Sequence, residues 1–223
     1  MDYPFSTGWN IKKIIFWTTA SALLLGSWIW PVSRAVWDAV DLFCFRALNA
    51  TVAWGKPFAV FWAVTGDRVF DAAGALGVFV MFVVFLLRRG EAFFRRGLPI
   101  GIVTAVILLV VIGLQRQVIS YPRNSPGKIF KDQHSIQAQV SWSRAKEASP
   151  SSFPGDHATV MVILTILWWK AFGPGLGRVM LGLTFLFGLP RMAAGAHWMT
   201  DAVIGGGFVV LLMLAGVDGM PLG

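Results

Sequence analysis

Six apolar runs, at roughly 11–30, 70–88, 98–115, 157–173, 177–190 and 201–217, alternate along the chain with charged or proline-bearing stretches. Most are close to the ~20 residues that an α-helix needs to cross ~30 Å of hydrocarbon. The pattern predicts an all-α integral membrane protein with six transmembrane helices. The first run, Ile14 to Trp30, meets Pro31 with no small-residue cleavage site after it, and reads as a retained helix rather than a signal peptide.

Two connections are long. Residues 31–69 carry Trp37, Val40, Phe43, Cys44 and Leu48 at helical spacing, with Trp54 and Trp62 beyond. That spacing suits an amphipathic helical segment lying in the membrane interface rather than a span. Residues 116–152 are polar and basic, punctuated as loop by Pro122, Pro126 and Pro150. Asn49-Ala50-Thr51 matches a glycosylation sequon and carries no weight alone. With no internal repeat and no polar linker, residues 1–223 read as one membrane-embedded domain.

Composition sharpens the class. The chain is 56% hydrophobic, holds 11 Trp and 18 Phe, and has 13% charged residues, which excludes an ordinary soluble domain. Its partners are expected to be membrane lipids, not nucleic acid. A single cysteine, Cys44, rules out an intrachain disulfide and reads as a small buried apolar residue. Net charge is +8, and an N-terminus in the cytoplasm puts eight basic residues inside and eleven outside, against the positive-inside rule. Setting aside three arginines with a chemical reason to lie outside gives a tie, which the dense Arg88–Arg96 cluster in a short loop tips towards N-inside.

On that threading three groups of residues meet at one membrane face: Arg116 and Arg123 in RQVISYPRNSP, Ser152 to His157 in SFPGDH, and Arg191, His197 and Asp201 in RMAAGAHWMTD. Each suits phosphate. Guanidinium groups offer planar, permanently charged donors that match phosphate oxygens. The N–H groups of Gly155 to Ala158 open the fourth helix, and a helix N-terminus attracts anions. His197 and Asp201 are four apart, so one helical turn lets the carboxylate reach the imidazole, fix its tautomer and stabilise charge on the ring. His157 has a proton to offer a leaving oxygen.

Taken singly, each residue has a plainer reading. A lone membrane His is often hydrogen-bonded between helices, an Arg at a helix end snorkels to headgroups, and Asp156 would serve as an N-cap. Intramembrane His, Asp and Arg also mark transporters, although those often show repeated halves with broken helices. The joint placement of two His, three Arg and one Asp at one face favours phosphoryl chemistry.

These residues resemble the three-part signature of the type 2 phosphatidic acid phosphatase superfamily: K-x6-R-P, then P-S-G-H, then S-R-x5-H-x3-D. Arg116 and Arg123 match the first part with Arg in place of Lys. Pro154 to His157 match the second at its ends, and Arg191, His197 and Asp201 match the third with Pro190 in place of Ser. SFPGDH, LPRMAAGAHWMTD, RNSP and TGDRVFD (residues 65–71) are together similar to the bacterial lipid A phosphotransferase branch, from about Trp30 to Gly206. That branch moves a phosphoryl group from undecaprenyl pyrophosphate to the 1-position of lipid A. Undecaprenyl pyrophosphate phosphatases of the same superfamily keep a related S-F-P-S-D-H element, so a hydrolase with water as acceptor stays open.

The resemblance implies roles. His197 would be the nucleophile that forms a phosphohistidine, oriented by Asp201, and His157 the general acid. Arg123 and Arg191 would hold the equatorial oxygens, with Arg116 in the lysine's role and Gly155 and Asp156 at the phosphate. No metal or cofactor is implied. The partners would be undecaprenyl pyrophosphate and lipid A, at the periplasmic face of the bacterial inner membrane. Gly155 lacks the hydroxyl of the usual Ser, and Asp156 sets a carboxylate beside the phosphate. Asp156 is therefore expected to engage a basic residue or to tune His157.

Overall fold

The computed structural model describes residues 4–118 and 121–221. In chain order its helices are α1 (Ile11–Ile29), α2 (Pro31–Ala50), α3 (Lys56–Thr65), α4 (Arg68–Leu87) and α5 (Glu91–Val118). After two short turns, α6 (Pro126–Ile129) and α7 (Ile136–Gln139), come α8 (Asp156–Phe172), α9 (Pro174–Ala193) and α10 (Gly207–Gly219), the last entered through a π-helical turn, Asp201–Gly206. Each of the six apolar runs is therefore helical.

Among the described residues, four stretches are long and apolar enough to cross a membrane: Arg68–Leu87, Glu91–Gln115, Pro174–Ala193 and Asp201–Gly219. A fifth exists if Ile11–Ile29 and Pro31–Trp54, bent by 81° at their junction, are taken as one broken span. α8 has 17 residues and falls below that length. Its buried residues, from Thr159 to Ala171, lie all round it, so it is the helix the others surround. α9 is longer than its predicted run. It starts at Pro174, after Gly173 turns the chain with φ 85°, and takes Pro190 inside. Proline suits a first helical position, where its missing N–H costs nothing, and glycine suits the left-handed turn before it.

α8 and α9 form a hairpin, and α1 lies along α10, where the Ser21 hydroxyl donates to the Phe208 carbonyl at 3.0 Å. Leu86, Ile100, Ile163, Leu167 and Met180 fill the centre, and Phe82 stacks on Trp168 at 4.6 Å. At the end away from the candidate site, Asp218 pairs with Lys170 and accepts from the Trp17 indole at 3.2 Å.

The segment 31–69 is helical but in three pieces, α2, a 3-10 turn (Thr51–Trp54) and α3. The buried stripe of α2 is Asp41, Phe45 and Asn49, while Phe43, Val32 and Val36 face outward and Cys44 is only half-buried. The apolar periodicity thus marks the outer face of α2, because its inner face carries polar anchors. Asn49 donates to the carbonyls of His134 and Ala193 at 3.0 and 2.9 Å and accepts from the His134 N–H at 2.8 Å, so the sequon asparagine is a buried clamp.

The polar stretch after α5 is a folded cap. Its outgoing and returning limbs pair, Ser125 N–H to Ser149 O and Ser152 N–H to Arg123 O, both at 2.9 Å. Inside it the Glu147 carboxylate accepts from the Ser135 hydroxyl at 2.8 Å and the Gln137 N–H at 2.7 Å. The cap's return limb leads through Phe153 and Pro154 into α8, and so delivers His157 to the site.

Candidate active site

Two histidines reach one cavity from different sides. His157 stands in the first turn of α8, and His197 in the bend between α9 and the final helix. The cavity between them measures about 460 Å³, and its walls include Arg191, Asp71 and Asp156.

His197 Nδ1 lies 2.8 Å from the Ser152 carbonyl oxygen. A carbonyl oxygen only accepts, so Nδ1 carries the proton and Nε2 keeps its lone pair. Asp201 Oδ2 is 3.5 Å from the same Nδ1. At that distance it stabilises positive charge on the ring without taking the hydrogen bond. The carboxylate and imidazole expected to meet across a helical turn do come together, but the tautomer is set by the Ser152 carbonyl.

His157 Nδ1 is 2.7 Å from Asp156 Oδ1, which also accepts the His157 N–H at 2.8 Å. His157 Nε2 is 3.4 Å from Asp71 Oδ2. That Asp71 oxygen also takes an Arg191 guanidinium N–H, and Arg191 Nη1 donates to the Gly66 carbonyl at 3.3 Å. Asp156 therefore does engage a basic residue, and that residue is its neighbour. Asp156→Asn is expected to shift the pH–rate profile, because one of the two carboxylates beside the ring is lost. A profile that superimposes on wild type would leave Asp156 no part in tuning His157.

Arg123 stands outside the cavity wall. Its Nη1 donates to Asp201 Oδ1 and Thr200 Oγ1, both at 2.8 Å, and its Nη2 to Asp41 Oδ2 at 2.7 Å. The guanidinium lies over Trp28 and Trp198, 5.4 and 5.2 Å from the ring centres. Asp41, 1% exposed, also accepts the Thr200 N–H at 2.8 Å and the Thr200 hydroxyl at 2.6 Å. The physical reason for this placement is pairing: two carboxylates buried this deeply require a cation between them. Arg123, expected at the phosphate, here cross-links α2 to the turn that carries Asp201.

Gly155 is likewise committed elsewhere, since its N–H donates to the Asp201 carbonyl at 2.8 Å. A Cβ on Gly155 would come within 3.3 Å of the Asp201–Ala202 peptide, a tight approach that favours glycine where the superfamily pattern has Ser. Arg116 belongs to the last turns of α5, and its side chain lies outside the described residues.

Five participants were assigned no role from sequence. Asp71 is a carboxylate near the start of the apolar α4, which is the available signal, whereas Asp41 lies among Arg34, Asp38 and Arg46 on α2 and does not stand out. Arg68 and Lys146 also line the cavity, as does Gln115, which is 1% exposed and donates to Thr159 Oγ1 at 3.4 Å.

The polar cavity adjoins an apolar one. A second space of about 360 Å³ begins at Asp71, Asp156 and His157 and continues past Val78, Leu108 and Leu164, between α4, α5 and α8. A third, of about 300 Å³, shares Val78, Leu108 and Leu164 with it and reaches Leu86 and Trp168.

Comparison with known proteins bears on the family. The family model of the PAP2 superfamily matches residues 128–218, the part that contains both histidines, Arg191 and Asp201. Lipid A 1-diphosphate synthase of Escherichia coli (strain K12) is 31% identical over 213 residues, spanning 96% of this chain and 90% of that protein. No solved structure matches. A likeness that runs almost end to end, together with the superfamily match over the histidine-bearing part, makes this chain an enzyme of the type 2 phosphatidic acid phosphatase (PAP2) superfamily.

Proposed function

We propose that the protein is a lipid phosphotransferase that moves the terminal phosphoryl group of undecaprenyl pyrophosphate to the 1-phosphate of lipid A through a phosphohistidine. One observation carries the lipid-phosphate reading: the cavity holding His157, His197 and Arg191 adjoins an apolar space between helices, the two sharing Asp71, Asp156 and His157 as a wall. A phosphate head and a hydrocarbon tail would each meet the surface that suits it. The acceptor follows from the name of the E. coli relative, and the donor from the resemblance of SFPGDH and LPRMAAGAHWMTD.

In this reading His197 Nε2 attacks the terminal phosphorus, its Nδ1–H held by Ser152 and its developing charge balanced by Asp201. The bridging P–O bond breaks, its electron pair stays with the departing lipid phosphate, and His157 supplies the proton. Arg191 stabilises the equatorial oxygens, exchanging Asp71 for phosphate as it does so. In the second half an oxygen of the acceptor attacks phosphorus and gives its proton back to His157, the N–P bond breaks and His197 recovers its lone pair. The working orientation puts the N-terminus in the cytoplasm and the cavity at the periplasmic face of the inner membrane, with α2 lying in the interface.

Undecaprenyl pyrophosphate labelled in its terminal phosphate, given to the detergent-purified protein with and without lipid A, tests this. Label on lipid A with little free phosphate is expected. Free phosphate regardless of lipid A would make the enzyme a hydrolase, and binding without any release would point to a lipid carrier.

A further inference from the structure

We propose that Arg68 and Lys146 form a single subsite for a phosphate monoester, used twice per cycle: by the phosphate that leaves on the donor lipid and by the phosphate of the acceptor. The proposal rests on the phosphohistidine reading and adds to it the residues that hold both the leaving and the accepting phosphate.

The cavity is in the size range of pockets for whole small ligands, well beyond one phosphoryl group. Its inner cation, Arg191, is 7% exposed, is tied to Asp71 and the Gly66 carbonyl, and stands close to the histidines. Among the described residues, Arg68 and Lys146 are the remaining cationic side chains on its wall, and both are exposed. They come from opposite supports. Arg68 lies one turn before Asp71 on α4, so the two side chains share a helix face. Lys146 lies on the cap, where its ammonium donates to Ser149 Oγ at 3.1 Å. Asp71 and Asp156 stand on the same wall. A second phosphate entering there without these cations would face carboxylates.

Displacement at phosphorus supplies the rest. His197 Nε2 and the departing oxygen occupy opposite apical positions. The Nε2–P bond forms, the bridging P–O bond breaks, and the electron pair leaves on the lipid monophosphate. In the second half the incoming oxygen must attack opposite the same Nε2, and so enters where the departing oxygen left. Donor and acceptor phosphates therefore share one position, and one pair of cations serves both. With water as acceptor the pair would serve the first half alone.

The test compares an isoprenyl pyrophosphate, whose leaving group is a phosphate, with p-nitrophenyl phosphate, whose leaving group is not. Each is assayed with wild type, Arg68→Gln, Lys146→Gln, the double variant and His197→Ala. The expected result is a kcat/KM ratio, pyrophosphate over nitrophenyl phosphate, that falls at least about 10-fold in each single variant and further in the double, as loss of a charge-assisted hydrogen bond predicts. A ratio that stays within about 2-fold of wild type overturns the subsite and leaves the phosphohistidine reading in place. Wild-type turnover matched by His197→Ala overturns the phosphohistidine reading, and the subsite with it.

Discussion

His197→Ala is expected to abolish transfer from a lipid pyrophosphate, with a loss of about 10³-fold or more, the order seen when a covalent nucleophile is removed. The Ser152 carbonyl commits Nδ1 as a donor, which leaves Nε2 as the one nitrogen of His197 with a free electron pair. Alanine deletes that lone pair while keeping the neighbouring Arg123–Asp201 pair, so the fold should persist. Base-quenched wild type given labelled donor should carry label on the protein, and the variant none. Turnover of His197→Ala within about tenfold of wild type would end the proposal that this ring is the nucleophile.

The largest effect on stability is expected from Arg123→Ala. Removing the guanidinium leaves Asp41 and Asp201, 1% and 0% exposed, as buried carboxylates without their cation. Breaking a buried pair in this way costs about 3–5 kcal/mol, a fall of roughly 10 °C in the thermal midpoint for a chain of this size. Lysine should not rescue it. One ammonium cannot span Asp41, Asp201 and Thr200 as the planar fork does. Removing charge on both sides, as in Arg123→Leu with Asp41→Leu, should recover part of the loss. Differential scanning fluorimetry in detergent decides the matter, and an unchanged midpoint in Arg123→Ala would show that the cross-link does not support the fold.

The helices were legible because long apolar runs are constrained by hydrocarbon thickness, and their order follows from chain order. His157, His197 and Arg191 were legible because their spacing puts them at helix ends facing one another. What escaped reading depends on contacts far apart in sequence. Nothing local to Arg123 reveals that its acceptor is Asp41, 82 residues earlier. The four-residue spacing of His197 and Asp201 assumes a continuous helix, yet His197 stands in the bend before it, and its proton goes to Ser152 instead. For α2, periodicity identified the helix but not which face is inward. An apolar stripe normally marks the protein core, whereas in lipid it also marks the exterior.

The cross-link between α2 and the final helix bears on how the protein is made. Asp41 leaves the ribosome 159 residues ahead of Thr200, an interval of roughly 10–30 s at synthesis rates of about 5–20 residues per second. Its carboxylate has water alone until Arg123 emerges, 82 residues later, and its two hydrogen bonds from Thr200 form only when the last helix arrives. The same cross-link that orders the finished protein therefore makes the seating of α2 wait for the last helix, and a truncation before Thr200 would take from Asp41 both of its Thr200 hydrogen bonds and from Arg123 its second carboxylate.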